Sequence, residues 1–266
     1  MNKPAYTEIT NRNIGLLTEA EQEKLKNSTV CIAGVGGVGG FPAERLARLG
    51  VGHIKIADPE VFSATDFNRQ FGSSIKTLNR KKAEVIAEIV RDINPEIKVD
   101  VFSEGVNKDN VDEFLQGANL VIDAIEFFTF EARMALYPKA REKNLYVILS
   151  GAIAYSSPLL VFDPKGLTME KFFGVDAGTE PDFYKIFKKL SVKLPDYIPH
   201  NKIVELTNRD ITPSVISPIC SLAGSLLVLE TVLMLLDKRK PIVVPNCSLV
   251  DLFNRKCLEI NLLQEN

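Results

Sequence analysis

Residues 28–50, STVCIAGVGGVGGFPAERLARLG, decide how this chain is read. The first part is a short apolar run ending in glycines; the second has helical character and is closed by Gly50. A strand running through a glycine turn into a helix is the start of a βαβ unit. Within it Gly34, Gly36 and Gly39 form GxGxxG. Such glycines allow a tight turn and let a phosphate approach backbone N–H groups at the helix start. HIKIAD (53–58) then reads as a second strand ending in Asp58, where a carboxylate would bind ribose hydroxyls. This much points to an adenine nucleotide and does not separate NAD from ATP.

The alternation continues outward. Upstream, Thr18 and Glu21 stand at capping-box spacing and predict a short helix over 18–27. Downstream, Ile86, Ile89, Val90 and Ile93 share one face of a helix expected from Leu78 to Ile93, stopped by Asn94-Pro95. IKVDVF (97–102), NLVIDAI (119–125) and LYVILS (145–150) read as strands, with helical stretches at 107–116 and 129–142, the second containing Pro138. The fold class is therefore α/β: a Rossmann-like, mostly parallel sheet with helices on both faces. After a strand near 152–162, residues 163–213 carry five prolines and eight Lys or Arg against eight Asp or Glu, which suits a lid or partner-binding crossover. CSLVDLF (247–253) and CLEINLL (257–263) form a hairpin around Asn254-Arg255-Lys256, adding antiparallel C-terminal strands at a sheet edge. With no repeat and no low-complexity tract, residues 1–266 read as one domain.

Composition narrows the function. Apolar residues make up 45% and charged residues 25%, ordinary for a globular enzyme. A net charge of −2 argues against a broad nucleic-acid surface and leaves a local tRNA contact open. Cys31, Cys220, Cys247 and Cys257 contain no CxxC pair, which speaks against structural zinc and a disulfide scaffold. The first residues, MNKPAYTEITNRN, lack an apolar signal core, so the expectation is cytoplasmic. Ile211–Leu229 runs nineteen residues without a charge. Pro213, Pro218 and the following Glu230 favour a buried core or dimer-interface helix over a membrane span.

The stretch TDFNRQFG (65–72) separates phosphate chemistry from redox chemistry. Arg69 sits between Asn68 and Gln70, and Lys82, thirteen residues on, lies four before Ile86 on the apolar side of its helix. An inward lysine in a first helical turn suits a phosphate. Transfer at an α-phosphate builds negative charge that fixed cations stabilise; hydride transfer needs none. His53 and His200 have no serine elbow nearby, so a hydrolytic triad has no support.

GVGGVGG, Asp58, the NRQ at 68–70 and Lys82-Ala83 together resemble the ThiF/MoeB/HesA family, relatives of the ubiquitin-activating enzymes, from about Thr10 to the C-terminus. The resemblance implies ATP and Mg²⁺ as cofactors and adenylation of a carboxylate with release of pyrophosphate. The acceptor would be the C-terminus of a ubiquitin-like sulfur carrier or a small carboxylate substrate. It gives Gly34, Gly36, Gly37 and Gly39 the phosphate loop and Asp58 the ribose. Asn68, Arg69 and Gln70 would surround the triphosphate and Lys82 would hold phosphates. Arg12 would reach the neighbouring subunit's ATP in a homodimer. Where the family has Thr-Asp-Asn, this chain has Ile125, Glu126 and Phe127, making Glu126 the expected Mg²⁺ ligand with Asp123 in reserve. The zinc-binding cysteine pairs of many relatives are absent, and Cys220 reads as a buried hydrophobe rather than a thioester nucleophile. VIDAIE also resembles the branch that dehydrates threonylcarbamoyl-adenosine in tRNA. An NAD-dependent oxidoreductase and a non-catalytic ATP-binding protein stand as further alternatives.

Overall fold

In the computed structural model, residues 4–175, 179, 181–191 and 198–264 are described. The glycine-ended run becomes β1 (Thr29–Ala33), and Gly40–Leu49 form the helix α3, closed by Gly50 in the left-handed region at φ 85°. β2 (His53–Ala57) and β4 (Leu120–Asp123) pair with β1 in parallel on either side, Val30 lying opposite both Ile54 and Leu120. With β3 (Lys98–Phe102), β5 (Val147–Ser150), β6 (Ser156–Phe162), β7 (Asn246–Asp251) and β8 (Lys256–Asn261), the order is β3-β2-β1-β4-β5-β6-β7-β8. Pairing is parallel as far as β5 and antiparallel from β5 to β8. This is the expected mixed sheet.

Both faces of the parallel half are covered, which is why β1, β4 and β5 are almost wholly apolar, while the edge strand β3 carries Lys98 and Asp100. Val30, Ile32, Leu120 and Ile122 enter one core with α3, α4 (Lys82–Ile93) and α10 (Ser217–Leu235). Cys31, Ala33 and Val121 enter the other with α5 (Val111–Phe114), α6 (Phe130–Glu142), α7 (Met169–Phe173), α8 (Phe183–Leu190) and α9 (His200–Thr207). At the N-terminus, α1 (Tyr6–Thr10) precedes α2 (Glu19–Lys26), whose Thr18 and Glu21 form the expected capping box.

Three boundaries differ from expectation. The helix expected from Leu78 starts at Lys82, because Asn79 takes φ 64° and Lys82 N–H donates to the Glu60 carbonyl at 3.0 Å. The stretch 107–116 yields only α5, since the Asn107 side chain accepts from Asp109 and Asn110 N–H and folds 107–110 into a turn. The last strand before the crossover begins at Ser156, not 152, after a turn in which Ser156 N–H bonds the Ile153 carbonyl at 2.8 Å. Helix α6 runs through Pro138 without interruption. Within the crossover, residues 192–197 lie outside the described residues and α7, α8 and α9 are helical. Helix α10 is long and apolar enough to cross a membrane, yet it packs against β5, β6 and α3, and its Glu230 is buried and paired with Arg239.

Candidate active site

Strand order reverses between β1 and β4, and a crevice opens at their carboxyl ends, where ligands of such sheets gather. The glycine loop lines it, and its glycines have different jobs. At Gly34 a Cβ would lie 2.3 Å from the Ala124 carbonyl oxygen, and at Gly39 one would lie 1.9 Å from the Gly34 carbonyl oxygen. Those two positions are dictated by backbone packing. Around Gly36 the nearest atom to such a Cβ is Gln70 Oε1 at 3.6 Å, and around Gly37 it is Cys220 Sγ at 3.3 Å. Gly36 and Gly37 face the open crevice, so a phosphate can approach their backbone.

Asp58, at the end of β2, is 5% exposed. Its carboxylate accepts from Val35 N–H at 2.8 Å and Glu60 N–H at 2.9 Å, so it braces the glycine loop as well as lining the crevice. Burial raises its pKa, while those two N–H groups and Lys82 pull it back.

Lys82 opens α4 and is 2% exposed. Its ammonium lies 2.6 Å from the Glu60 carboxylate and 3.7 Å from that of Asp66. Neither acid was singled out in the sequence, although Asp66 lies inside TDFNRQFG. Asp66 accepts from Ser63 N–H at 2.9 Å and Gln70 Nε2 at 2.6 Å, and stands 3.7 Å from Arg69. It thus gathers the whole segment around one buried carboxylate. Arg69 donates to the Thr65 carbonyl and to Asn68 Oδ1, each at 2.9 Å, and Asn68 donates to the Val215 carbonyl at 3.1 Å. Gln70 Oε1 is buried with no hydrogen-bond partner in the protein, an acceptor at the loop that a bound group or water would satisfy. Arg69, Gln70 and Lys82 therefore do converge on the glycine loop.

The two expected metal ligands separate. Asp123 is fully buried; its Oδ1 accepts from Ile125 N–H at 3.0 Å, and its Oδ2 accepts from Arg133 Nε and the Tyr137 hydroxyl, both at 2.8 Å. Arg133, which the sequence reading missed, also donates to the carbonyls of Ile125, Glu126 and Phe127 at 2.6, 2.9 and 3.4 Å. Asp123 is thus the anchor of the loop after β4, and its oxygens are taken. Glu126 faces the crevice, with Oε2 accepting from Phe128 N–H at 2.6 Å and from the Thr129 hydroxyl at 3.2 Å. Among the described residues no three His, Cys, Asp or Glu side chains cluster to hold a metal. Mg²⁺ is compatible with this arrangement when nucleotide phosphates supply most of its oxygens and Glu126 one more.

Arg12 lies elsewhere. It is exposed, in a turn whose Asn13 bonds the Leu49 carbonyl at 3.3 Å, and Leu49 ends α3. That is about 14 Å along the helix from the glycine loop. Cys220 lines the crevice in the first turn of α10; burial raises its thiol pKa and Arg69 pulls it back.

A sequence profile of the ThiF family matches residues 10–266. The chain belongs to that family. Among curated relatives of this ThiF-family chain, the tRNA threonylcarbamoyladenosine dehydratase of Haemophilus influenzae is 32% identical over 144 residues, 54% of this chain and 55% of that one. The SAMP-activating enzyme E1 of Haloferax volcanii is 28% identical over 163 residues, 60% of each. The chain spans about half the length of the curated relatives it matches. Among solved structures, E. coli MccB with ATP superposes with a TM-score of 0.68 at 20% identity, over 91% of this chain and 66% of that one, a likeness of fold.

Proposed function

We propose that this ThiF-family protein is an ATP-dependent adenylyltransferase that activates a substrate carboxylate as an acyl-adenylate. The observation that carries this reading is the convergence of Lys82 and Arg69 on an open Gly36-Gly37 turn at the strand-order reversal. The polyphosphate lies along that turn and the ribose beside Asp58. A substrate carboxylate oxygen attacks the α-phosphorus; the bond from that phosphorus to the bridging oxygen breaks, and its electron pair leaves with pyrophosphate. Arg69 and Lys82 stabilise the charge that accumulates. Lys82 does so by exchanging Glu60, an acid whose side chain is 59% exposed and can swing into water. Glu126, together with the nucleotide phosphates, would hold Mg²⁺, which would supply further neutralisation of that charge.

The substrate in this proposal is the C-terminus of a ubiquitin-like carrier or peptide, or a small carboxylate. The second reading, dehydration of threonylcarbamoyladenosine in tRNA, is favoured by the dehydratase relatives and by Ile125-Glu126. A cytoplasmic homodimer is part of the proposal: Leu229, 58% exposed on α10, is an apolar side chain a second copy would cover, and Arg12, exposed and far from its own glycine loop, would serve the neighbour's site.

Exchange of labelled pyrophosphate into ATP, driven separately by the small-molecule, protein and RNA fractions of a cell extract, tests the reading. Exchange confined to the RNA fraction selects the tRNA reading. Tight ATP binding without exchange in any fraction refutes an adenylyltransferase. Thermal stabilisation by NAD(P)H but not by ATP–Mg²⁺ would return the oxidoreductase.

A further inference from the structure

The crevice is longer than a nucleotide's phosphates require. Beyond Gly37, Arg69 and Lys82 it continues as a chamber over the ends of β4 and β5, the whole cavity enclosing about 810 Å³. Its far wall is made of Phe127, Phe130, Phe173, Ile186, Phe187 and Leu190. These rings are held against one another edge-on or tilted, Phe127 to Phe187 at 6.4 Å and Phe130 to Phe173 at 5.8 Å between centroids, so the wall is preformed.

The ionisable groups in the far part of this lining are already committed. Arg133 is tied to Asp123 and to three backbone carbonyls, and Glu126 caps the turn after β4. Among the described residues the lining has no histidine, and Lys82 is its one lysine. Among the described residues, an acidic side chain brought to this far part would find no uncommitted cation, and a basic one would give up its hydration to meet Glu126. A terminal glycine would leave the aromatic wall empty.

We infer that the residue or acid whose carboxylate is activated carries a large apolar or aromatic group, seated on the Phe127–Phe130–Phe187 wall with its carboxylate directed toward Arg69. The inference rests on the adenylation reading of the same site. The chemistry fits a free aryl- or branched-alkyl carboxylic acid, and equally a peptide ending in such a residue.

Pyrophosphate exchange with the intact protein separates these. One arm uses N-acetyl derivatives of Phe, Leu, Gly and Glu; the other uses short peptides ending in the same four residues. Acids or peptides with Phe or Leu should exceed their Gly and Glu counterparts in kcat/KM by roughly thirty-fold, the value of burying one large apolar side chain. The better arm identifies the free acid or the peptide as the source. Ile186→Trp, which fills the chamber, should move the preference from Phe toward Gly. Wild-type measurements stand alone if that variant does not fold. Equal or better exchange with Gly or Glu overturns the inference and leaves adenylation standing. So does exchange supported by an extract fraction but by no member of the panel. Failure of exchange with every panel member and every fraction removes both.

Discussion

Replacing Arg133 with Met keeps the length and apolar body of the side chain but removes its charge and its donors. Asp123, fully buried, then loses the guanidinium 2.8 Å away and keeps only the Ile125 N–H and the Tyr137 hydroxyl. Breaking a buried ion pair by deleting one partner costs about 3–5 kcal/mol, because the surviving charge is left without compensation. In a chain of this size each kcal/mol lowers Tm by roughly 2–4 °C, so the expected drop is about 6–20 °C. Three carbonyls of the loop after β4 are released at the same time, which places the loss at the upper end. Adding Asp123→Asn removes the stranded charge and should recover a third or more of the loss in a double-mutant cycle. Thermal unfolding followed by circular dichroism reads both numbers. A single variant within 3 °C of wild type would refute the view that Asp123 is an anchor held by Arg133 rather than an available metal ligand.

Lys82→Met should lower the rate of pyrophosphate exchange about a hundred-fold, the effect of removing roughly 2–3 kcal/mol of transition-state charge stabilisation; a change under threefold would refute its role. Mixing Lys82→Met and Arg12→Ala protomers in equal amounts should restore about a quarter of wild-type exchange, one intact site in each mixed dimer; no recovery would put Arg12 outside the neighbour's site. Gly39→Ala should cost ~3 kcal/mol or more, because its Cβ meets backbone. Gly36→Ala should stay within about 1 kcal/mol of wild type in stability while weakening ATP binding at least tenfold, and unfolding and ATP titration would expose any equality between the two. Burial pushes the Cys31 and Cys247 thiols up to about 12 and raises that of Cys220, so iodoacetamide at pH 8 should label Cys257 alone in the native protein. Mass spectrometry of peptides would reveal any second site.

The parallel half of the sheet was legible because its strands are covered on both faces and each apolar run ends at a turn signal. The start of α4 was not. Leu78 continues the helical period, but the chain turns through Asn79 at positive φ, whose N–H bonds the Phe62 carbonyl, and Lys82 N–H bonds that of Glu60, tertiary hydrogen bonds with no local trace. The site followed the same division. Lys82, Arg69 and the glycines were readable from position and residue type. Glu60 and Asp66, the acids holding Lys82, were not, because they lie 22 and 16 residues before it and meet it only through folding. Glu126 was the expected metal ligand with Asp123 in reserve, and what occupies Asp123 in the fold is Arg133, a residue of the following helix that the local sequence does not point to.

The unequal duties of the glycine turn bear on how such proteins drift. A lineage descended from this chain that abandoned nucleotide would come under no pressure to retain Gly36 and Gly37, yet Gly34 and Gly39 would survive as long as β1 and β4 stay in contact. A surviving half-signature would then mark ancestry and say nothing of catalysis.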